Sequence, residues 1–204
     1  MDNQNSQEIN VSENNKNKMT YILDNILEWL ESFAFAIFVV ILIFTFVLRT
    51  VVVSGQSMEP NFHNNDRLII THVIGSPDKG DVVVLNSYGL NKTLIKRCIG
   101  TSGDDVVIDY NKNKITVNGE EISDSYINEP MIDSAYYDTK YQISSGVYEY
   151  KVPEGKIFVL GDNRNHSSDS RDNQVSFIDT SDVLGKVILR IMPFKDFGII
   201  KSQL

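Results

Sequence analysis

Apolar residues fall into one long run near the start of the chain and into many short runs after it. The long run, residues 32–48, is uncharged, is rich in Phe, Ile, Val and Leu, and lies between Glu31 and Arg49. A helix of this length crosses most of a hydrocarbon layer about 30 Å thick, and no polar face interrupts it. The pattern therefore predicts one transmembrane helix with its flanks over residues 29–50, with Trp29 at headgroup depth.

A cleavable signal peptide is the main alternative to this anchor, because it also places charges before an apolar stretch. No Ala-x-Ala motif follows the run, so an uncleaved anchor is the better interpretation. Residues 1–18 are rich in Asn, Gln and Ser and almost lack apolar side chains. Such a composition cannot offset the entropy of ordering, which predicts that the N-terminal tail, residues 1–28, is largely disordered.

Short apolar runs separated by turn residues predict strands of an all-β sandwich or barrel over residues 51–204. Two hairpin turns are predicted at residues 111–113 and 118–119, where Asn and Gly tolerate positive φ. The predicted strands are residues 68–74, 82–85, 93–99, 106–110, 114–117, 156–160 and 183–192.

The strand pattern lapses at residues 124–150, which hold six of the nine tyrosines. We interpret this stretch as an insertion on the β core. A small packed subdomain is favoured over a surface that contacts lipid headgroups or a partner, because aromatic side chains most often pack.

Composition and charge narrow the range of functions. The chain has a net charge of −8 and no basic patch, so nucleic acid is excluded as a partner. Cys98 is the only cysteine, and an intramolecular disulfide is therefore impossible. We interpret this residue as a small buried apolar side chain rather than a nucleophile.

Residues 54–60, Ser-Gly-Gln-Ser-Met-Glu-Pro, directly follow the predicted membrane segment. Gly55 permits a positive φ and Pro60 restricts the backbone, so Ser57 could be presented on a stiff turn. Taken alone this is a weak signal, because serine in such a turn is usually only a turn former.

The predicted strand at residues 93–99 holds Lys96 and Arg97 side by side, and strand alternation sends one to each face. Periodicity does not choose between them. Burial lowers the pKa of a lysine by up to several units, whereas arginine stays protonated, so only Lys96 could become a general base. The alternative is a pair of surface side chains that extend into solvent.

Residues 161–171 form a loop dense in hydrogen-bonding groups directly after an apolar strand. Such a loop can orient a site, with Asp–Arg pairs holding it in place. An Asx-rich turn is one alternative. A calcium loop using the oxygens of Asp162, Asn163 and Asp169 is another, although Arg164 and Arg171 would repel the ion.

Four motifs, in their order along the chain, resemble those of the bacterial type I signal peptidases, serine proteases with a Ser/Lys dyad. The resemblance covers residue 32 to about residue 190. The motifs are residues 54–60, residues 80–83, residues 96–100 with Gly103 and Asp104, and residues 161–164 with Ser167, Asp169, Ser170 and Arg171.

The resemblance implies a role for each matching residue. Ser57 would be the nucleophile and Lys96 the base, with the hydroxyl of Ser167 bonded to the lysine amine. Because Gly55 occupies the position of a second oxyanion donor in some members, the backbone N–H of Ser57 would be the main one. The supporting residues would be Arg97, Asp162, Asp169 and Arg171, and the residues lining the substrate groove would be Met58 and Ile95.

The same resemblance implies the protein's surroundings and substrates. It predicts a single-pass protein of the cell membrane, with a cytoplasmic N-terminus and an extracytoplasmic catalytic domain. The substrates would be preproteins with small residues one and three positions before the cut, and no metal or cofactor would be needed. One departure is Asn61, where the family usually has Thr.

Three alternatives stand beside this interpretation. The first is a Ser/His/Asp triad that uses His166. The second is a membrane-tethered β module that only binds. The third is a repressor-type protease that cuts itself, against which the apolar helix and the lack of a DNA-binding segment argue.

Overall fold

The structure is a computed structural model that describes residues 25–42, 48–72, 77–123, 126–127 and 129–203. Helix α1, Asn25–Leu42, has 18 residues and is long and apolar enough to cross a membrane. At 1.5 Å per residue it rises about 27 Å. Most of the predicted tail and residues 43–47 lie outside the described residues. The chain divides into two compact units, Met1–Val47 and Leu48–Leu204.

The transmembrane helix with its flanks was predicted over residues 29–50, whereas the structure has helix before that range and strand within it. The helix already includes Asn25, and Leu48 begins a strand. Hydropathy alone does not separate the apolar run from the strand that begins at Leu48, because a strand at a sheet edge can also be rich in Val and Leu.

The first sheet is antiparallel, contains eight strands, and has the order β1-β2-β12-β3-β4-β10-β11, with β13 paired to β12. Strand β1 forms one edge, and β4 lies between β3 and β10. The strands are β1 Leu48–Val52, β2 Arg67–Thr71, β3 Val82–Ser87, β4 Lys92–Gly100, β10 Lys156–Leu160, β11 Ile178–Asp179, β12 Val183–Met192 and β13 Gly198–Ile199.

The second sheet is antiparallel, contains five strands, and has the order β7-β6-β5-β9-β8. Its two predicted hairpin turns are present: Asn113, Asn118 and Gly119 have φ of 54°, 54° and 84°. The strands are β5 Asp105–Asp109, β6 Lys114–Val117, β7 Glu120–Glu121, β8 Gln142–Ser144 and β9 Val147–Lys151.

Part of the stretch interpreted as an insertion is regular sheet. Strand β9 pairs with β5 over five residues and is flanked on its other side by β8. Tyr148 and Tyr150 point into the core while Glu149 lies between them, so the strand does alternate. The alternation was missed because its buried positions are tyrosines, whose hydroxyls make them look polar in the sequence.

Three buried apolar clusters hold the two sheets, and β4 contributes to all of them. Ile95 packs against the cluster that contains Val53 and Phe62, Cys98 belongs to a second, and Ile99 belongs to the third, beneath the second sheet. The strand that carries Lys96 is therefore fixed by packing along its length. The prediction of a mainly β domain after one apolar helix is confirmed.

Candidate active site

Ser57 and Lys96 are in contact although 39 residues separate them. Nζ of Lys96 lies 2.7 Å from Oγ of Ser57 and 2.9 Å from the carbonyl oxygen of Ile95. Lys96 is 2% exposed, in the middle of β4. Ser57 lies on the turn after β1, where Gly55 has φ 94°. Asn163 fixes this turn, because its backbone N–H donates to the carbonyl oxygen of Ser57 at 3.0 Å.

Burial changes the protonation of Lys96. Removal from water lowers its pKa from 10.5 to about 8, and this cause outweighs Asp169 and Asp162, which raise the pKa. Arg171 adds a smaller lowering effect. At pH 7 about one lysine in ten with this pKa is neutral, compared with about one in 3,000 for an unshifted lysine. The amine beside Ser57 can therefore accept a proton near neutral pH.

Arg97 is as buried as Lys96, so the alternative of two solvent-extended side chains is wrong. Its guanidinium binds Asp162 through two hydrogen bonds of 2.8 and 2.7 Å, and its third nitrogen donates to the carbonyl oxygen of Gly80 at 3.0 Å. Bidentate pairs of this kind fix both partners in one orientation. The pair ties the residue next to Lys96 to the loop after β10.

A second buried ion pair holds the same loop. Asp169 accepts from Nε and Nη2 of Arg171 at 2.8 and 2.9 Å, and from the backbone N–H of Gly161 at 3.0 Å. These interactions hold the pKa of Asp169 below its usual value despite full burial, which acts in the opposite direction. Ser170 anchors the loop to β10, since its hydroxyl accepts from the N–H of Val159 at 3.0 Å.

Ser167 occupies a narrow space against Gly161. A Cβ on Gly161 would lie 2.2 Å from Oγ of Ser167 and 2.5 Å from the carbonyl oxygen of Ser57, so only glycine fits there. Oγ of Ser167 is buried, and its hydroxyl is close enough to Asp169 to help lower the pKa of that carboxyl group. The predicted bond from Ser167 to the lysine amine is not present in this geometry.

An apolar cleft of about 300 Å³ opens beside the dyad. Of the two residues predicted to line a substrate groove, Ile95 lines this cleft and Met58 does not. Met58 is 1% exposed and packs in the core with Val53 and Phe62, because the turn directs it inward beneath Ser57. The lining residues are Val51, Val52, Val53, Ser54, Ser57, Val84, Thr93, Leu94, Ile95 and Lys96.

Comparison with known proteins identifies the family of this chain. The family model described as "Signal peptidase, peptidase S26" matches residues 26–192. The chain belongs to the signal peptidase family. Membership makes it a serine peptidase, and the family's activity is the removal of signal peptides. Together with helix α1, the family also indicates association with a membrane.

Individual relatives carry the same family name. "Signal peptidase I P" of Bacillus subtilis subsp. natto is 33% identical over 172 residues, 83% of this chain and 90% of that protein. "Signal peptidase IB" of Staphylococcus aureus (strain COL) is 32% identical over 189 residues, which are 84% of this chain and 92% of that protein. A solved signal peptidase I from Enterococcus faecalis V583 has 26% identity and a TM-score of 0.40, covering 56% of this chain and 98% of that one.

The structure argues against the alternatives that the sequence left open for these residues. Asp162 and Asp169 are occupied by Arg97 and Arg171, which argues against a calcium loop. His166 is exposed, and no hydrogen bond joins it to Ser57 in the part of the chain that the structure describes. Burial raises the pKa of Cys98 to about 12, so its thiol stays protonated.

The site includes residues to which the sequence assigned no role. Nδ2 of Asn61 donates to Asp162 at 2.9 Å and to the carbonyl oxygen of Tyr126 at 3.0 Å. Arg164, within the loop after β10, is 1% exposed. Asn61 was noted only as a departure from the motif, which was the available signal. Nothing in the tyrosine-rich stretch distinguished Tyr126 from its neighbours.

Proposed function

We propose that this protein removes signal peptides from preproteins with Ser57 as nucleophile and Lys96 as general base. The observation that carries the proposal is the 2.7 Å distance between Nζ of a buried lysine and Oγ of a serine on a fixed turn. A nucleophile within hydrogen-bond reach of a base, with that base held by its surroundings, is the arrangement that activates a hydroxyl.

The reaction follows from these positions. Neutral Lys96 accepts the Ser57 proton while Oγ attacks the scissile carbonyl carbon, and the resulting ammonium then donates that proton to the departing amine. The acyl-enzyme is released when water gives a proton to the same amine and attacks the ester. The backbone N–H of Ser57 serves as the oxyanion donor, since it forms no hydrogen bond within the described residues.

Ser167 is proposed to assist the general base, Lys96. Its hydroxyl is buried against Gly161 and has bonding capacity left over. A rotation of this side chain would let it accept a hydrogen bond from Lys96 during the reaction, as apo geometries of catalytic hydrogen bonds are often incomplete. The ion pairs Arg97–Asp162 and Asp169–Arg171 support the loop that carries it.

The apolar cleft is proposed to bind the end of the signal peptide in an extended conformation beside β1. Shallow pockets lined by Ile95 and neighbouring valines exclude large side chains by clashes more strongly than they reward added methylenes. We expect that Phe at either the first or the third position before the cut lowers kcat/KM by about 100-fold or more, from steric exclusion.

Purified protein in detergent, incubated with an Ala-x-Ala precursor and its two Phe variants, tests both the activity and this specificity. The control is a Phe placed two positions before the cut, where an extended peptide points its side chain away from the surface. Equal turnover of all four precursors would disprove the proposed specificity, and no cleavage of the parent precursor would disprove the proposed function.

The proposed topology places the N-terminus in the cytoplasm and residues 49–204 outside, in a single-pass protein whose helix α1 lies in the bilayer. The apolar length of α1 and its large exposed side chains support the position in the bilayer, because such a surface is favourable next to lipid or protein. The orientation follows from the family resemblance. Protease added to intact spheroplasts should digest the β domain. Protection of that domain until the membrane is permeabilised would reverse the orientation.

A further inference from the structure

Three buried arginines surround the site, and each lies over a tyrosine ring. Arg97, Arg164 and Arg171 are 2%, 1% and 0% exposed. Cζ of Arg97 lies 4.5 Å from the centroid of Tyr126, and Cζ of Arg164 lies 5.7 Å from the same ring. Cζ of Arg171 lies 4.8 Å from the centroid of Tyr137. A guanidinium stays charged when buried, so an aromatic face replaces part of the lost hydration.

Tyr126 is fixed against the Arg97–Asp162 ion pair from several directions. Its hydroxyl accepts a hydrogen bond from Nη2 of Arg164 at 3.0 Å. Its carbonyl oxygen accepts from Nδ2 of Asn61, which also donates to Asp162 at 2.9 Å. The ring of Tyr126, the carboxylate of Asp162 and the guanidinium groups of Arg97 and Arg164 therefore form one connected unit. This unit lies next to Lys96.

Tyr137 has the corresponding place over Arg171. Its ring stacks on Tyr110 at 5.6 Å, and the hydroxyl of Tyr110 accepts from Nη1 of Arg171 at 3.4 Å. Its backbone forms a β-bridge with Asp172, directly after Arg171. Tyr126 and Tyr137 are each only 9% exposed, and both come from the stretch between β7 and β8.

We propose that Tyr126 and Tyr137, the tyrosine clamp, are positioning residues of the Ser57–Lys96 dyad. Their rings hold the Arg97–Asp162 and Arg171–Asp169 ion pairs in place and keep water from them. The inference rests on the proposed dyad. It gives the tyrosine-rich stretch a part in the reaction, acting through the arginines rather than through contact with the reacting atoms.

Loss of either ring of the tyrosine clamp should raise the pKa of Lys96, whereas loss of an aromatic ring elsewhere in the core should not. Lys96 is flanked by Arg97 on its own strand, and the charged groups that act on it from the loop after β10 are Asp162, Asp169 and Arg171. Water that enters beside the ion pairs would reduce the burial of Lys96, whose pKa would then rise. The pH at which activity appears would move upward.

The test uses the full-length protein in detergent and a peptide that spans a cleavage site, assayed between about pH 6 and pH 10. The variants are Tyr126→Leu and Tyr137→Leu, with Tyr126→Phe to remove the hydroxyl alone. The control is Tyr141→Leu, whose ring packs on Tyr150 at 4.8 Å and Phe177 at 5.8 Å and lies over the exposed Lys140. Circular dichroism gives the folded fraction of each preparation, and expressing kcat per folded molecule removes the effect of partial unfolding.

We expect Tyr126→Leu and Tyr137→Leu to lower kcat per folded molecule about tenfold or more, with KM within about twofold, since the dyad is displaced but the cleft is intact. Their pH profiles should move toward higher pH by at least half a unit or so. Tyr126→Phe should remain within about threefold of the parent, because the ring is kept. Tyr141→Leu should change thermal stability and leave the pH profile in place.

Leucine variants whose pH profiles and kcat match those of Tyr141→Leu would overturn the clamp. If a leucine variant does not fold, the methionine variant at the same position keeps more of the buried volume and is measured in its place. The two proposals fail separately. Activity in Lys96→Arg would overturn the dyad, whereas inactive dyad variants with unaffected tyrosine variants would overturn the clamp alone.

Discussion

We expect Ser57→Ala and Lys96→Arg each to lower kcat/KM by at least about 10⁴-fold, and the double variant to be scarcely worse than either one. Ser57→Ala removes the atom that attacks. Lys96→Arg keeps the positive charge but replaces an amine that can lose its proton by a guanidinium that cannot. In the proposed mechanism the two side chains act as one unit, so losing either should abolish the whole contribution and the two effects should not add.

The measurement is steady-state cleavage of a precursor by each purified variant, with circular dichroism to establish folding. Lys92→Arg is the matched control, because Lys92 is exposed on the same strand and should tolerate the change. His166→Ala should also remain active. Near-parental cleavage by Lys96→Arg, or loss of activity in folded His166→Ala, would replace the dyad by the histidine triad.

The pH dependence of the parent protein is a second measurement of the same dyad. In the proposed mechanism Lys96 must be neutral to act, so activity should rise with pH until the amine, whose pKa burial lowers to about 8, has lost its proton. Below that pKa the rate should fall about tenfold per pH unit. A profile that levels off near pH 6.5 would instead indicate a histidine base.

Gly161→Ala should be the most damaging single-methyl change in the loop after β10. The new Cβ would lie 2.5 Å from the carbonyl oxygen of Ser57 and 2.2 Å from Oγ of Ser167. The serine side chain can rotate, but the backbone carbonyl of Ser57 cannot move without displacing the nucleophile. We expect kcat/KM to fall about 100-fold, with a loss of about 1–3 kcal/mol in the free energy of unfolding from overpacking.

Precursor cleavage and urea unfolding of the same preparation give both quantities. Gly198→Ala is the control, since a Cβ there has no heavy atom within 4 Å. Activity of Gly161→Ala within about threefold of Gly198→Ala would mean that the loop adjusts freely. In that case the close contact between Gly161 and the turn of Ser57 would have no role in holding the nucleophile.

Local pattern was sufficient for much of the fold. The strands Lys114–Val117, Lys156–Leu160 and Val183–Met192 were predicted with the bounds that the structure has, because each is a β-branched or aliphatic run bordered by turn residues. The hairpin turns were predictable for a similar reason, since few residues tolerate positive φ. Where the buried side chains are tyrosines, as in β9, the same rule failed.

The sequence by itself determined which side chains could do the chemistry: a serine on a Gly/Pro turn, a lysine in an apolar strand and a loop of Asp–Arg pairs. Such features are visible in a sequence because they depend only on residue type and on neighbouring residues along the chain. Only the tertiary structure decided that Lys96 rather than Arg97 meets Ser57, that Met58 is buried beneath the turn, and that two tyrosines cover the arginines. Alternation assigns a residue to a face of its strand, but what lies opposite that face depends on segments brought together by packing from distant parts of the chain.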